Sequence, residues 1–430
     1  MSAVHSVPAR RHQPTVSRAR ELGPRQAVLV AVLLLLVMAM PANAQTPADG
    51  MHEPQLLVAE DALKQDAAEY ARQFDVTADE AIQRLAMLPQ MAETLALLET
   101  SNPDRFAGGW AEHEEAFGLV VRFTGEDVGL ALAHEALARL DAPVEMRFGR
   151  EHTLAALYAG QARIERTIDK SYPQMGMYVD VKTGSVVLLG PDAVGPDQLA
   201  DLSTEARVPV AVEFSPPYEV GVGSGGRPID TQLGGCTTGF TSVDAVSGET
   251  GVLTAGHCAG SVGSLATYHD TDGTFDSVEM RGKRWDSNQD FAWYRTPGLD
   301  AAQFQSGFGY RNVTGTILRT QMVGGHVCHF GRTTGYSCGI VDTIRYDPPD
   351  SACNNTPCSD RWAAVINDAN IKCAGGDSGG PYFNGNTAWG THQGSINSGP
   401  GYGQCTVAGF MSAEQLTWDG VNTRIMLCGC

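Results

Sequence analysis

From Gln55 to about Thr100 the apolar positions keep a helical period: Ala62, Ala67, Tyr70, Ala71 and Phe74 share one face. Thr77-x-x-Glu80 predicts a capping box that opens a second helix through Ile82, Leu85, Ala86 and Leu88. Strands are predicted over Phe117–Phe123 and Val144–Phe148, with a helix over Asp127–Leu140 between them. Met177–Val181 and Ser185–Leu189 predict a hairpin about Lys182-Thr183-Gly184. The pattern lapses between 190 and 230, where Pro191, Pro196, Pro209, Pro216, Pro217 and the glycine-rich run 221–226 predict a linker. Exposed crossings of this kind are where proteases cut. After Cys236 the chain breaks into short β runs at Gly251–Ala255, Phe291–Tyr294, Thr316–Leu318, Ala363–Ile366, Ala388–Thr391 and Val407–Phe410. That spacing predicts an all-β barrel or sandwich, with a helix only in the last dozen residues.

At 430 residues the chain is long enough for two cores. Its net charge of −19 is carried by both parts: 13 Lys and Arg face 29 Asp and Glu over 45–216, and 12 face 19 over 217–430. An acidic balance in each part argues against nucleic acid as a partner. Five arginines precede the apolar run Ala27–Met40, and Ala42-Asn43-Ala44 supplies small residues for cleavage before Gln45. Residues 1–44 are therefore expected to be an export signal. Fourteen apolar residues are too few for a span of roughly twenty, so no stable membrane anchor is expected.

All ten cysteines lie between Cys236 and Cys430. An even number in an exported chain favours disulfides over metal ligation. Cys353-x4-Cys358 and Cys428-Gly429-Cys430 could form a thiolate metal site, but neither contains a histidine, and no metal or cofactor is expected. Asn312-x-Thr314 and Asn354-x-Thr356 match the glycosylation acceptor pattern.

Chemistry is expected at Gly375-Gly376-Asp377-Ser378-Gly379-Gly380-Pro381, where four glycines surround one hydroxyl. Glycines permit positive φ and close approach of other backbone, which a plain turn also requires. An attacking serine needs free N–H groups aimed at its substrate's oxygen, and Gly376, Asp377 and Ser378 are the candidates. It also needs a base and an orienting acid. His257 follows an apolar run ending in Thr254-Ala255-Gly256. Asp290 enters the apolar strand Phe291-Ala292-Trp293, where a carboxylate without a donor would be costly. Asp276, Asp286 and Asp300 are rivals in polar, loop-like sequence. Gly376-Asp377-Ser378-Gly379-Gly380 also fits the nucleophile elbow of α/β-hydrolases, but that motif needs a helix and then a histidine after it, and a turn at Asn384-Gly385-Asn386 follows instead.

Taken in order, Thr254–Cys258, Asp290-Phe291-Ala292-Trp293, Val327–Gly339 and Gly376–Gly380 resemble the chymotrypsin-like bacterial serine proteases of the streptogrisin and alpha-lytic branch. The resemblance implies a double six-stranded antiparallel β-barrel over 226–430 and a secreted serine endopeptidase acting on protein or peptide substrates. Ser378 would be the nucleophile, His257 the general base and acid, and Asp290 the carboxylate that orients the imidazole, with the N–H groups of Gly376 and Ser378 as the oxyanion hole. It also implies disulfides Cys236–Cys258, Cys328–Cys338 and Cys373–Cys405, leaving Cys353, Cys358, Cys428 and Cys430 unassigned.

More weakly, Phe106-Ala107-Gly108-Gly109-Trp110, Phe117–Phe123 and the Met177–Leu189 hairpin resemble this family's propeptides. Residues 45–190 are accordingly expected to be an α+β propeptide domain, folding assistant and inhibitor of a monomeric enzyme, with the maturation cut in a linker over 191–225. A permanent accessory domain is the alternative. Two departures stand out. His329 replaces an arginine of the family, so Asp377 is expected to pair with Arg332 or His329. His392, in Gly390–Ser395, resembles the pocket histidine of glutamate-specific members; with Ser395 and Lys372 it would favour an acidic residue before the scissile bond, against a pocket for apolar or small residues. A reading of another class is an inactive homologue that binds peptides or glycans in the same cleft.

Overall fold

A computed structural model describes residues 56–114, 116–216, 218–219, 227–269, 275–296, 301–397, 403–416 and 423–429. The expected export signal, the glycine-rich run 221–226, Asp300 and Cys430 lie outside them.

The helical period near the start folds as α1 (Ala59–Phe74) and α2 (Ala78–Ser101), preceded by β1 (Leu56–Leu57). Thr77 caps α2 by accepting a hydrogen bond from the Glu80 N–H at 3.2 Å. Glu80 turns its own side chain to Arg84, so only half of the expected capping box forms. The chain continues through β2 (Phe106–Glu112), β3 (Gly118–Thr124), α3 (Ala131–Leu137), β4 (Val144–Arg150), α4 (Leu154–Ser171), β5 (Gly176–Asp180), β6 (Ser185–Gly190), α5 (Pro196–Ala206) and β7 (Val210–Phe214). Two three-stranded sheets result, β2-β3-β4 and β5-β6-β7, in each of which the last strand joins parallel. Tyr70, Leu85, Met91, Phe123, Ile164 and Leu188 pack in their shared core.

The expected linker over 191–225 is shorter in the structure. Pro196 is the first residue of α5, where its missing N–H costs nothing, and Pro209 stands immediately before β7. These prolines bound elements of the N-terminal half, which runs to Phe214.

Beyond Phe214 the connecting chain forms β8 (Tyr218–Glu219), and the C-terminal half then comprises β9 (Arg227–Thr231), β10 (Gly234–Thr238), β11 (Thr241–Asp244), β12 (Thr250–Thr254), β13 (Leu265–His269), β14 (Phe275–Trp285), β15 (Asp290–Arg295), β16 (Gln303–Gln305), β17 (Tyr310–Asn312) and β18 (Gly315–Thr316). It continues with β19 (His326–Gly331), β20 (Gly335–Ile340), β21 (Thr343–Tyr346), β22 (Trp362–Ile366), β23 (Pro381–Asn384), β24 (Thr387–Asn397), β25 (Cys405–Ser412) and β26 (Thr423–Ile425). One antiparallel sheet has the order β10-β9-β13-β14-β15-β12-β11-β26 and the other β20-β19-β23-β24-β25-β22-β21. Each curls into a half-barrel, and bulges such as Met280/Gly282 in β14 and His392/Gly394 in β24 help the bending. The helix expected in the last dozen residues is not found among those described. β26 instead pairs with β11, returning the C-terminal segment to the first barrel.

The two halves meet along β-ladders as well as side chains. β1 runs parallel to β17, and Met177 and Asp347 exchange backbone hydrogen bonds of 2.8 and 2.9 Å. Tyr178, Val187 and Leu189 of the N-terminal half join the core that contains Phe291, Trp362 and Phe383.

Candidate active site

β12 delivers His257. The strand lies antiparallel to β15, with Thr254 opposite Ala292, and passes into a short 3-10 turn at Gly256–Cys258. A Cβ on Gly256 would stand 2.0 Å from the Arg284 carbonyl oxygen and 3.0 Å from Asp290 Oδ1, so only glycine lets the turn close onto the neighbouring strands. Asp290 begins β15 opposite Trp285 of β14 and is buried.

Its carboxylate holds the histidine twice. Oδ1 accepts the His257 backbone N–H at 2.8 Å, and Oδ2 stands 2.7 Å from Nδ1. A carboxylate there fixes the proton on Nδ1 and leaves the lone pair on Nε2, which has no hydrogen-bond partner among the described residues. An imidazole so held can take a proton at Nε2 while its positive charge is met by the buried carboxylate.

Ser378 lies in the turn before β23, between Gly376 at φ +103° and Gly379 at φ +85°. A Cβ on Gly379 would meet the Thr237 carbonyl oxygen and Thr254 Oγ1, both at 2.3 Å, and the Ala255 nitrogen at 2.6 Å. The serine turn is therefore wedged against the strand that carries His257. Thr237 clamps it from the other side, donating its N–H to the Ser378 carbonyl at 2.9 Å and its hydroxyl to the Gly376 carbonyl at 2.7 Å. A disulfide joins Cys236, beside Thr237, to Cys258, beside His257; Cys258 Sγ lies 3.9 Å from the Ser378 carbonyl oxygen. The histidine turn is thus tied covalently to β10, whose Thr237 holds the serine turn by hydrogen bonds. The Asp377 N–H donates to the Ala374 carbonyl at 3.1 Å. That withdraws it from the three candidate oxyanion donors and leaves the Gly376 and Ser378 pair. Glycine flanks suggest an accessible hydroxyl, yet Ser378 is only 1% exposed in this form of the chain.

Asp377 pairs with neither Arg332 nor His329. Oδ1 accepts the N–H groups of Thr333 and Thr334 at 2.8 and 3.2 Å, and Oδ2 accepts the Thr334 hydroxyl at 2.7 Å and the Ala374 N–H at 2.9 Å. Burial nevertheless pushes this carboxyl above its ordinary range. Arg332 reaches across to Asp230 Oδ1 at 2.8 Å, and Asp230 also holds His269 at 2.7 Å. Gly331 makes room for Asp377, whose Oδ1 would lie 2.1 Å from a Cβ there.

His392 is buried on β24, 3.2 Å from the Tyr382 hydroxyl through Nδ1, with its ring stacked on Tyr382 at 5.8 Å and 5.0 Å from the ring of His329. Burial, and the second histidine after it, lower its pKa to about 3. Ser395 lies on the same strand and is buried. The side chain of Lys372 is exposed, and its backbone N–H donates to the Ser337 hydroxyl at 2.9 Å. The residues that sequence did not single out are Thr237, Thr334 and Tyr382. Thr334 stands inside the Val327–Gly339 motif, but nothing local marks it as the partner of Asp377.

Disulfides also join Cys328 to Cys338, Cys353 to Cys358 and Cys373 to Cys405. The Cys353–Cys358 bond removes that pair from any thiolate metal site, and Cys428 is disulfide-bonded as well. Among the rivals of Asp290, Asp286 accepts from Asn288 and Gln289 in a surface turn, and Asp276 lies on β14 opposite Tyr268.

The trypsin family model matches residues 225–411. Streptogrisin-C of Streptomyces griseus is 25% identical over 343 residues, which is 75% of this chain and 70% of that protein. Serine protease 2 of Streptomyces fradiae is 31% identical over 190 residues, covering 43% of this chain and 98% of that one. Among solved structures, Thermobifida fusca protease A is 23% identical and aligns with 47% of this chain and 98% of its own, at a TM-score of 0.37. The chain belongs to the trypsin family of serine endopeptidases, on the bacterial branch of the streptogrisins.

Proposed function

We propose that the chain is a secreted pro-enzyme in which Ser378 attacks the scissile carbonyl, His257 takes and returns its proton, and Asp290 orients the imidazole. The observation that carries the triad is the double grip of Asp290 on His257, with the Ser378 turn wedged against the same strand. The N–H groups of Gly376 and Ser378 receive the negative oxygen of the tetrahedral intermediate, and water later releases the acyl group. Fluorophosphonate labelling of the matured protein tests this: Ser378 carries the label, and Ser378→Ala abolishes it. An unlabelled wild type would return the chain to the inactive, peptide-binding reading.

The pro-enzyme reading is supported by β8. Glu219 and Tyr218 pair antiparallel with Ser395 and Ile396 of β24, adding the chain's own connecting segment to the strand that carries His392. An extended segment added to a sheet edge is how peptides are commonly bound, so the N-terminal half blocks the site in cis until the chain is cut after it. The buried state of Ser378 agrees with that closed form. N-terminal sequencing and intact mass of the exported protein test it; one uncut species with full activity would sink the proposal.

His392 carries a second, finer reading, preference for an acidic residue before the scissile bond. Its support is that His392 is buried with its ring 5.0 Å from that of His329, with Ser395 buried on the same strand. In the closed form burial keeps His392 uncharged, so the acidic side chain would have to bring back its proton on binding. Cleavage of a peptide library decides, and preference for Leu, Phe or Ala over Glu would overturn it.

A further inference from the structure

Arg311 lies on β17, on the catalytic half, yet its guanidinium is fully buried under α1 of the N-terminal half. Asp66 of α1 meets it with both oxygens, at 3.0 and 2.9 Å. The same carboxylate accepts the Tyr336 hydroxyl at 2.7 Å and the Gly385 N–H at 2.6 Å. Arg311 also donates to the Gly385 carbonyl at 2.9 Å and to Gln65 at 2.6 Å, and lies over the Phe383 ring at 4.8 Å. Every group that holds Asp66 belongs to the catalytic half. They converge from three segments: β17, β20 and the turn between β23 and β24. β1, pairing parallel with β17 at Leu57 opposite Arg311, closes the site from the side.

We propose that Arg311, Tyr336 and the Gly385 N–H form a carboxylate socket whose ligand is Asp66, and that this socket retains the N-terminal half on the catalytic half after the connecting chain is cut. The inference rests on the pro-enzyme reading for its setting. A fully desolvated ion pair with all its oxygens satisfied loses heavily when one partner alone is neutralised, because the other charge stays buried without compensation. The rim contacts between the halves differ in kind. Gln73 to Asp368 and Asn367 to Glu213 are hydrogen bonds from neutral amides to partly buried or exposed groups, each replaceable by water.

The test uses the full chain with Ser378→Ala, so that it does not cut itself, and a recognition site for an added sequence-specific protease placed within 221–226. After cutting, dissociation of the two halves is followed by dilution with a fluorophore on the N-terminal half. Asp66→Asn is expected to weaken retention at least 100-fold, whereas Asp61→Asn, exposed on the same helix, stays within about two-fold of the parent. Because Asp66 is also buried within α1, Tyr336→Phe provides a measurement from the other side of the socket, with retention about ten-fold weaker. Parent-like affinity in both Asp66→Asn and Tyr336→Phe would overturn the proposal. The pro-enzyme reading is scored separately, by whether the active chain cuts itself between 216 and 227. A chain that never does so leaves the socket's affinity difference standing and removes only its role in maturation.

Discussion

The two halves solve the same problem, fixing a small number of polar groups, with different means. The N-terminal half contains no cysteine, and its two longest helices start from threonine caps at Thr77 and Thr153. The catalytic half has almost no helix; its strands pair across long separations, and disulfides stand beside both the histidine and the serine turns. Local contacts form quickly, and non-local pairings charge their loop-closure entropy before any contact rewards it. The division gives the N-terminal half a physical basis for acting as a template, through β1 on β17 and Met177 on Asp347, for strands that are slow to find their partners.

The largest effect that separates the halves is chemical. Ser378→Ala or His257→Ala is expected to lower peptide hydrolysis by about 10⁴-fold or more while leaving the melting of both halves unchanged, as read by active-site kinetics and calorimetry. Next comes covalent pinning. Replacing Cys236 and Cys258 together with serine should cost the catalytic half about 2–5 kcal/mol and leave the N-terminal helices untouched by reductant. Gly379→Ala is expected to cost about 3 kcal/mol, from positive φ and the 2.3 Å contacts to Thr237 and Thr254, and to lower activity with it. A variant as stable and active as the parent would show that the serine turn is not wedged.

These sites differ in how far sequence alone reveals them. Ser378, His257 and Asp290 are legible because each stands in local surroundings that make little sense for a surface loop: glycines around a hydroxyl, small residues before an imidazole, apolar residues after a carboxylate. The partner of Asp377 is not legible in the same way. Arg332 is close in sequence to the backbone that binds Asp377, yet it turns to Asp230, 102 residues away on β9. That choice is made by how the two barrels pack. The fold of the N-terminal half was readable where periodicity was long. α4, periodic in Leu154, Leu157, Ile164 and Ile168, is nevertheless not among the predicted elements, and Pro196 and Pro209 suggest a linker because proline marks the edge of an element as readily as the absence of one.

A smaller effect concerns the contact between the halves and has two opposing arms. Glu165 and Asp169 of α4 face Asp347, Asp350 and Asp360 of the catalytic half, with Arg345 bound to Asp360 and Arg166 nearby. Burial, and then the neighbouring acids, push Asp169 up to about 6 and Asp347 well above the carboxylate range. The assembled form therefore holds more protons than the separated halves, and the contribution of Asp169 is complete below pH 4 and lost as pH rises through 6. His113 and His326 work the other way. Burial lowers them to about 4 and about 3, so their contribution is complete above pH 6.5 and lost as pH falls towards 4. Glu112, Arg84 and Lys182 are the charges near His113. The two windows overlap between pH 4 and 6, where the arms offset each other, so association of the cut halves is expected to vary little across that range. Asp169→Asn should flatten the alkaline arm on the order of ten-fold between pH 5 and 7, and leave the acid arm unchanged. A parent profile that changes more than about ten-fold between pH 4 and 6 would remove one of the two groups from the contact.

The smallest expected effect makes the comparison sharpest because it touches one half only. Thr77 accepts the Glu80 N–H at the start of α2, and Glu80 does not reciprocate but binds Arg84. Thr77→Ala should therefore cost about 1 kcal/mol, the value of a single cap without the returning bond of a full capping box. The loss should appear in the unfolding of the N-terminal half, followed by helical circular dichroism, and be absent from the catalytic half once the two are separated. If the catalytic half also became less stable after separation, its independence of the helices would be disproved. If Glu80→Ala proved costlier than Thr77→Ala, the Arg84 ion pair rather than the cap would be the feature that holds the start of α2.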